Sequence, residues 1–180
     1  MYEINIVHYC HSVCMPLQSI TELPEIEAYK IAGKLGLNNA TAFGRFKDFK
    51  NYYPRRMETE KWLYDWFIKS GGEPKTEHPL YFVLEKSDYL NEWFDKGKII
   101  KIPLSKIETE HISFTLGDSC ANFYENNRHD PFLKDKLFKM IEENNGNINE
   151  FLDEINKKYN YRYIECQLWK KDYQFIEIKD

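Results

Sequence analysis

Residues 4–14, INIVHYCHSVC, carry two histidines and two cysteines within a short span, His8, Cys10, His11 and Cys14. Imidazoles and thiolates are zinc ligands, and a structural zinc gathers about four of them in a tetrahedron. A strand, however, turns His8 and Cys10 to one face and His11 to the other. His78, His111, His129, Cys120 and Cys166 each stand alone, so no second ligand pair at knuckle spacing follows. Buried thiols and a hydrogen-bonded imidazole are the simpler reading, and no metal is assigned.

Three other groupings carry chemistry. In GDS, residues 117–119, Gly117 gives backbone freedom and Asp118 or Ser119 can cap the following turn; the same amides and carboxylate can hold a polar ligand. Cys120 or Ser119 as a nucleophile would need an activating base, and no local signature supplies one. In YYPRR, residues 52–56, Arg55 and Arg56 stand beside aromatic rings, with Arg45 upstream. Guanidinium forks suit phosphates and flat rings suit bases; an exposed pair neutralised by Glu58 and Glu60 explains the segment equally well.

These residues need elements to position them. Alternation of Ile, Val and Tyr predicts a first strand over 3–10. Pro24, Glu25 and Glu27 open a helix that Gly36 closes. A short helix is expected near 41–49 and is ended by Pro54; a second runs 57–69, with Trp62, Leu63, Trp66 and Phe67 on one side and Gly71–Gly72 beyond. PLYFVLE, 79–85, reads as an interior strand, Ser87 as the cap of DYLNEWF, and 98–103 and 111–116 as further strands. A helix from Asp130–Pro131 places Leu133, Leu137, Met140 and Ile141 on one face, the next places Ile148, Phe151, Leu152 and Ile155, and YRYIECQLW and QFIEIK close the chain as strands. The result is a single α+β domain over residues 1–180, a mixed fold with a central sheet of five or six strands and several amphipathic helices.

Composition fits one well-filled core: 180 residues, 42% apolar and 30% charged. Twenty-five basic against 29 acidic residues leave a net charge of −4, which gives no global attraction for a polyanion; no DNA partner is evident. The start MYEINIV has no basic export region and no long apolar run occurs, so a cytoplasmic, non-membrane protein with free thiols is expected.

The order of three strands resembles the compact ADP-ribosyltransferase fold, in particular its histidine–tyrosine–glutamate subgroup and the related RNA 2′-phosphotransferases and nucleotide-modifying toxins. IVHYC supplies His8, PLYFVLEKSDYL supplies Tyr81, and YIECQLWKKDYQFIEI supplies Glu165. The resemblance implies NAD as cofactor. His8 would bond the nicotinamide-side ribose, with His11 as its alternative, Tyr81 would stack on the nicotinamide, and Glu165 would orient a ribose hydroxyl and stabilise the oxocarbenium-like charge. Gln167, on the same strand face as Glu165, would share its task, and Arg55 or Arg56 would meet the pyrophosphate. The expectation is a transferase-type cleft for NAD or a related nucleotide in which His8, Tyr81 and Glu165 converge, with a protein or RNA acceptor. Two alternatives stay open: a non-catalytic protein-interaction module using Trp62, Trp66 and Trp93, and an RNA-binding protein using Arg45, Arg55 and Arg56.

Overall fold

The computed structural model describes residues 3–178. Seven strands form one antiparallel sheet in the order β5-β4-β6-β2-β1-β3-β7. They are β1 (Asn5–Cys10), β2 (Leu80–Leu84), β3 (Lys98–Pro103), β4 (Ile112–Leu116), β5 (Phe132–Leu133), β6 (Ile164–Leu168) and β7 (Ile176–Ile178). The helices are α1 (Glu25–Leu35), α2 (Phe49–Lys69), α3 (Asp88–Trp93), α4 (Lys134–Glu142) and α5 (Ile148–Tyr159). This is an α+β fold, as its sequence pattern predicts.

Alternation along the strands divides the sheet into two faces. Ile6 of β1, Phe82 of β2, Phe114 of β4 and Cys166 of β6 point to one face and form the main core with Leu137 of α4 and Phe151 and Ile155 of α5. Each fully buried aliphatic or phenyl group of this kind contributes about 1.5–3 kcal/mol. The α5 helix delivers its apolar stripe because Asn147 caps it, accepting from the amides of Asn149 at 3.0 Å and Glu150 at 3.4 Å, and Asn160 ends it in the left-handed region at φ 56°. Helix α2 lies against the other face, where Leu63 and Phe67 pack on Trp169 and the Phe67 and Trp169 rings stack at 5.4 Å.

Two element boundaries differ from those the sequence predicts. Pro54 does not end a helix; it lies inside α2, which begins at Phe49 after a 3₁₀ turn at Thr41–Phe46. Phe49 and Tyr53, one turn apart, are buried with Phe46 and the small Ala28 and Ala32 of α1, and Tyr29 meets Phe49 edge-on at 4.9 Å. That aromatic packing outweighs the one backbone bond that proline removes. The helix expected from Asp130 begins instead at Lys134, because Phe132 and Leu133 pair with Phe114 and Ser113 as a seventh strand, with the Phe114 and Phe132 rings stacked at 5.7 Å. Among the described residues no helix is long and apolar enough to cross a membrane.

Candidate functional site

On the α2 side of the sheet the register places two polar rows side by side. One row is Thr115, Glu165 and Val83; the next is Ser113, Gln167 and Tyr81, on the adjacent strands β4, β6 and β2. Tyr81 and Glu165 thus share a face, as their strand positions require.

The polar side chains of β4 and β6 in these rows are joined by hydrogen bonds that extend to Trp169. Trp169 Nε1–H donates to Ser113 Oγ at 3.0 Å, and Ser113 Oγ–H donates to Gln167 Oε1 at 2.9 Å. Gln167 Nε2 then donates to Thr115 Oγ1 and to Glu165 Oε1, both at 3.0 Å. Gln167 therefore positions Glu165 rather than meeting solvent, being completely buried itself. A connected chain of this kind fixes each of its side chains in one geometry.

A second set of donors comes from the loop after β4. Gly117 adopts φ +72°, and a Cβ there would come within 2.8 Å of the Tyr161 ring, so only glycine makes this turn without strain. Asp118 Oδ1 accepts from the amides of Cys120 at 2.9 Å and Ala121 at 2.8 Å, which is the capping role its position predicts, although turns rather than a helix follow. Tyr163 Oη–H donates to Asp118 Oδ2 at 3.3 Å. The turn carries Ser119 onto Glu165: Ser119 Oγ–H donates to Oε1 at 2.5 Å and its amide at 3.4 Å. Ser119 is thereby a carboxylate-holding residue that sequence reasoning set aside, since its spacing to Glu165 is visible only in the fold.

All three donor groups converge on Oε1 of Glu165, whereas Oε2 accepts from no described residue. Burial pushes the Glu165 carboxyl up to about 7, reinforced by the Asp118 charge and opposed by Arg56 and by the Ser119 and Gln167 hydrogen bonds. A carboxyl with one fixed oxygen, one free oxygen and a midpoint near neutrality can give or take a proton.

Arg56 of α2 lies over Tyr81, with its guanidinium carbon 3.6 Å from the ring centroid. Its Nε–H donates to Glu60 Oε1 at 3.1 Å, while its two terminal nitrogens have no hydrogen-bond partner among the described residues. Tyr81 Oη–H donates to the same Glu60 oxygen at 3.2 Å. Glu60 is itself buried, not an exposed counter-charge as its sequence position beside Glu58 suggests. Arg55 is half-buried on the neighbouring helix position, and its Nε is buried without a partner.

His8 does not join this cluster, which corrects the expected convergence. It alternates with Val7 and Tyr9 and so lies on the main-core face, its ring 5.5 Å from Phe82. Its Nδ1 sits 2.8 Å from the Tyr81 carbonyl oxygen, which can only accept, and its Nε2 is 3.3 Å from the Leu17 amide, which can only donate. The imidazole is therefore neutral with the proton on Nδ1, and burial pushes its pKa below the usual value. His11, the alternative, is also buried in structural contacts: Nδ1 accepts from the Val13 amide at 3.2 Å and the ring packs 4.9 Å from Phe43. Arg45 is engaged as well, donating to the Ala42 carbonyl at 2.6 Å and lying over Phe46.

Two hollows of the surface lie away from Glu165. One, of about 230 Å³, is lined by Lys86, Asn149, Asp153, Arg162 and Tyr163 at the sheet end beside α5. The other, about 450 Å³ and wide open, follows α2 between Trp62 and Trp66. Glu165 is 6% exposed, and the half-buried Tyr81, Tyr163 and Arg56 lie around its cluster. Among the described residues no group of three His, Cys, Asp or Glu side chains could hold a metal ion. No family model, no curated protein and no solved structure matches the chain.

Proposed function

We propose that the protein is an enzyme of ADP-ribosyltransferase-like chemistry that takes NAD or a related nucleotide on the α2-side face, with Glu165 as its central catalytic group. The observation that carries this reading is the Glu165 carboxyl: three donor groups fix one oxygen, the other is free, and burial with the Asp118 charge raises its midpoint to about 7. Tyr81 stands two residues from the Glu165 partner on the next strand and offers a ring. The unpartnered terminal nitrogens of Arg56 suit a phosphate or pyrophosphate. His8, to which the resemblance gave the ribose contact, has no part in this reading, since both its nitrogens are occupied on the other face.

In this scheme the glycosidic bond to nicotinamide breaks with positive charge growing on the ribose. Ionised Glu165 stabilises that charge, and the same oxygen then accepts the proton of the incoming nucleophile. Incubation with NAD, read as nicotinamide release and as a ligand-induced rise in melting temperature, tests the proposal. Wild-type release that is abolished in Glu165→Gln supports it; no release and no melting shift with NAD, ADP-ribose or other nucleotides overturns it.

A protein-interaction module is the second reading, favoured by the open groove along α2 between Trp62 and Trp66. Tryptophan emission that iodide leaves unquenched in the free protein would remove it.

A further inference from the structure

A buried carboxylate between two functional side chains is costly to keep, because an apolar residue of similar volume is often as stabilising or more so. Glu60 is such a residue: its side chain is 1% exposed, yet it accepts from Arg56 Nε, from Tyr81 Oη and, at Oε2, is paired with His78 Nδ1 at 2.7 Å. One oxygen thus serves the arginine and the tyrosine together, and the other faces the histidine. Arg56 is held on two sides, by the Tyr81 ring beneath its plane and by Glu60 at its Nε edge. Only the fork of terminal nitrogens remains to meet a ligand. The spacing from Arg56 to Glu60 is one helical turn, so α2 itself sets the clamp.

We infer that Glu60 is a positioning residue that locks Arg56 and Tyr81 into one unit and aims the Arg56 fork at a phosphate of the bound substrate. This rests on the proposed nucleotide site and adds to it the residue that orders phosphate recognition. His78 completes the unit from the other side, its Nδ1 2.7 Å from Glu60 Oε2, and that hydrogen bond raises its pKa. Without Glu60 the guanidinium keeps its charge but loses its direction.

Calorimetric titration with ADP-ribose, inorganic pyrophosphate and adenosine separates this role from a merely structural one. In Glu60→Gln, affinity for ADP-ribose and pyrophosphate is expected to fall roughly tenfold or more, with adenosine binding unchanged. Arg56→Lys should reproduce that pattern with Glu60 intact, and Glu60→Asp should restore part of the loss. The Arg56 Nε–H resonance, protected from exchange in the wild type, should lose protection in Glu60→Gln. Unchanged phosphate affinity in Glu60→Gln, or equal losses for adenosine and ADP-ribose, overturns the inference. A wild type that binds none of the probes while the Arg56 resonance stays protected overturns the nucleotide reading, and the phosphate role of Glu60 with it; an unprotected wild-type resonance overturns the clamp alone.

Discussion

His8 and Tyr81 are hydrogen-bonded to each other, yet their side chains lie on opposite faces of the sheet. The bond runs from the His8 ring to the Tyr81 backbone carbonyl at 2.8 Å, while the Tyr81 ring turns away toward Arg56 and Glu60. A strand pair of this kind separates two tasks. His8 pins Leu17, which sits at φ 57° in the left-handed region, to β1, and Tyr81 furnishes the polar face.

Replacing His8 by alanine should therefore lower stability by about 1–3 kcal/mol, because it leaves the Leu17 amide and the Tyr81 carbonyl without their partner. Nucleotide binding should be unchanged at temperatures where the variant is folded. The pH dependence has a definite sign. The folded pKa of His8 is depressed, so its contribution is present above the ordinary value of 6.5 and is lost as pH falls below it. Chemical denaturation of wild type and His8→Ala across that range checks the loss and its pH dependence.

Glu165 has the opposite pH behaviour. Its folded midpoint of about 7 lies above the ordinary 4.5, so the stability it contributes is full below 4.5 and is lost as pH rises to about 7. At higher pH the ionised carboxylate costs the fold on the order of a few kcal/mol. Glu165→Gln should remove this slope, melt higher than wild type above neutral pH and have no turnover. Melting curves at a series of pH values measure the first two effects.

Asp118 provides a way to move the midpoint without touching Glu165. Asp118→Asn keeps an oxygen for the Cys120 and Ala121 amides but removes the charge that helps to raise Glu165. The midpoint of the pH–rate profile should shift down from about 7 toward 4.5, with the turn retained. Asp118→Ala should also lose the turn, at about 1 kcal/mol.

Pro54 is exposed on α2 and lacks the amide that would bond the preceding turn. Pro54→Ala should restore that bond and stabilise the protein by about 1 kcal/mol or more, with Phe49 and Tyr53 still buried in the aromatic cluster. A rise in melting temperature with no change in ligand binding is the expected result.

Much of this architecture is legible in the residues themselves. The Asn147 cap and the spacing of Ile148, Phe151 and Ile155 specify α5, and the period of two puts Glu165 and Gln167 on one strand face. The facing of His8 is not legible, because β1 is buried on both sides and its alternation carries no apolar-to-polar contrast. Glu60 had one signal, its position four residues after Arg56, but a surface pair and a buried clamp share that spacing. Ser119 reaches Glu165 across 46 residues through a glycine turn, a contact set by tertiary packing that no local pattern encodes.

The central claim is that Glu165 titrates near neutrality in a site that receives a nucleotide. Its most direct test is the carboxyl ¹³C shift of Glu165, followed by NMR from about pH 4 to 9 with and without ADP-ribose. The account predicts a midpoint of about 7 in the free protein and a displaced midpoint in the presence of the ligand. A midpoint at the ordinary 4.5 that ignores ADP-ribose would contradict it.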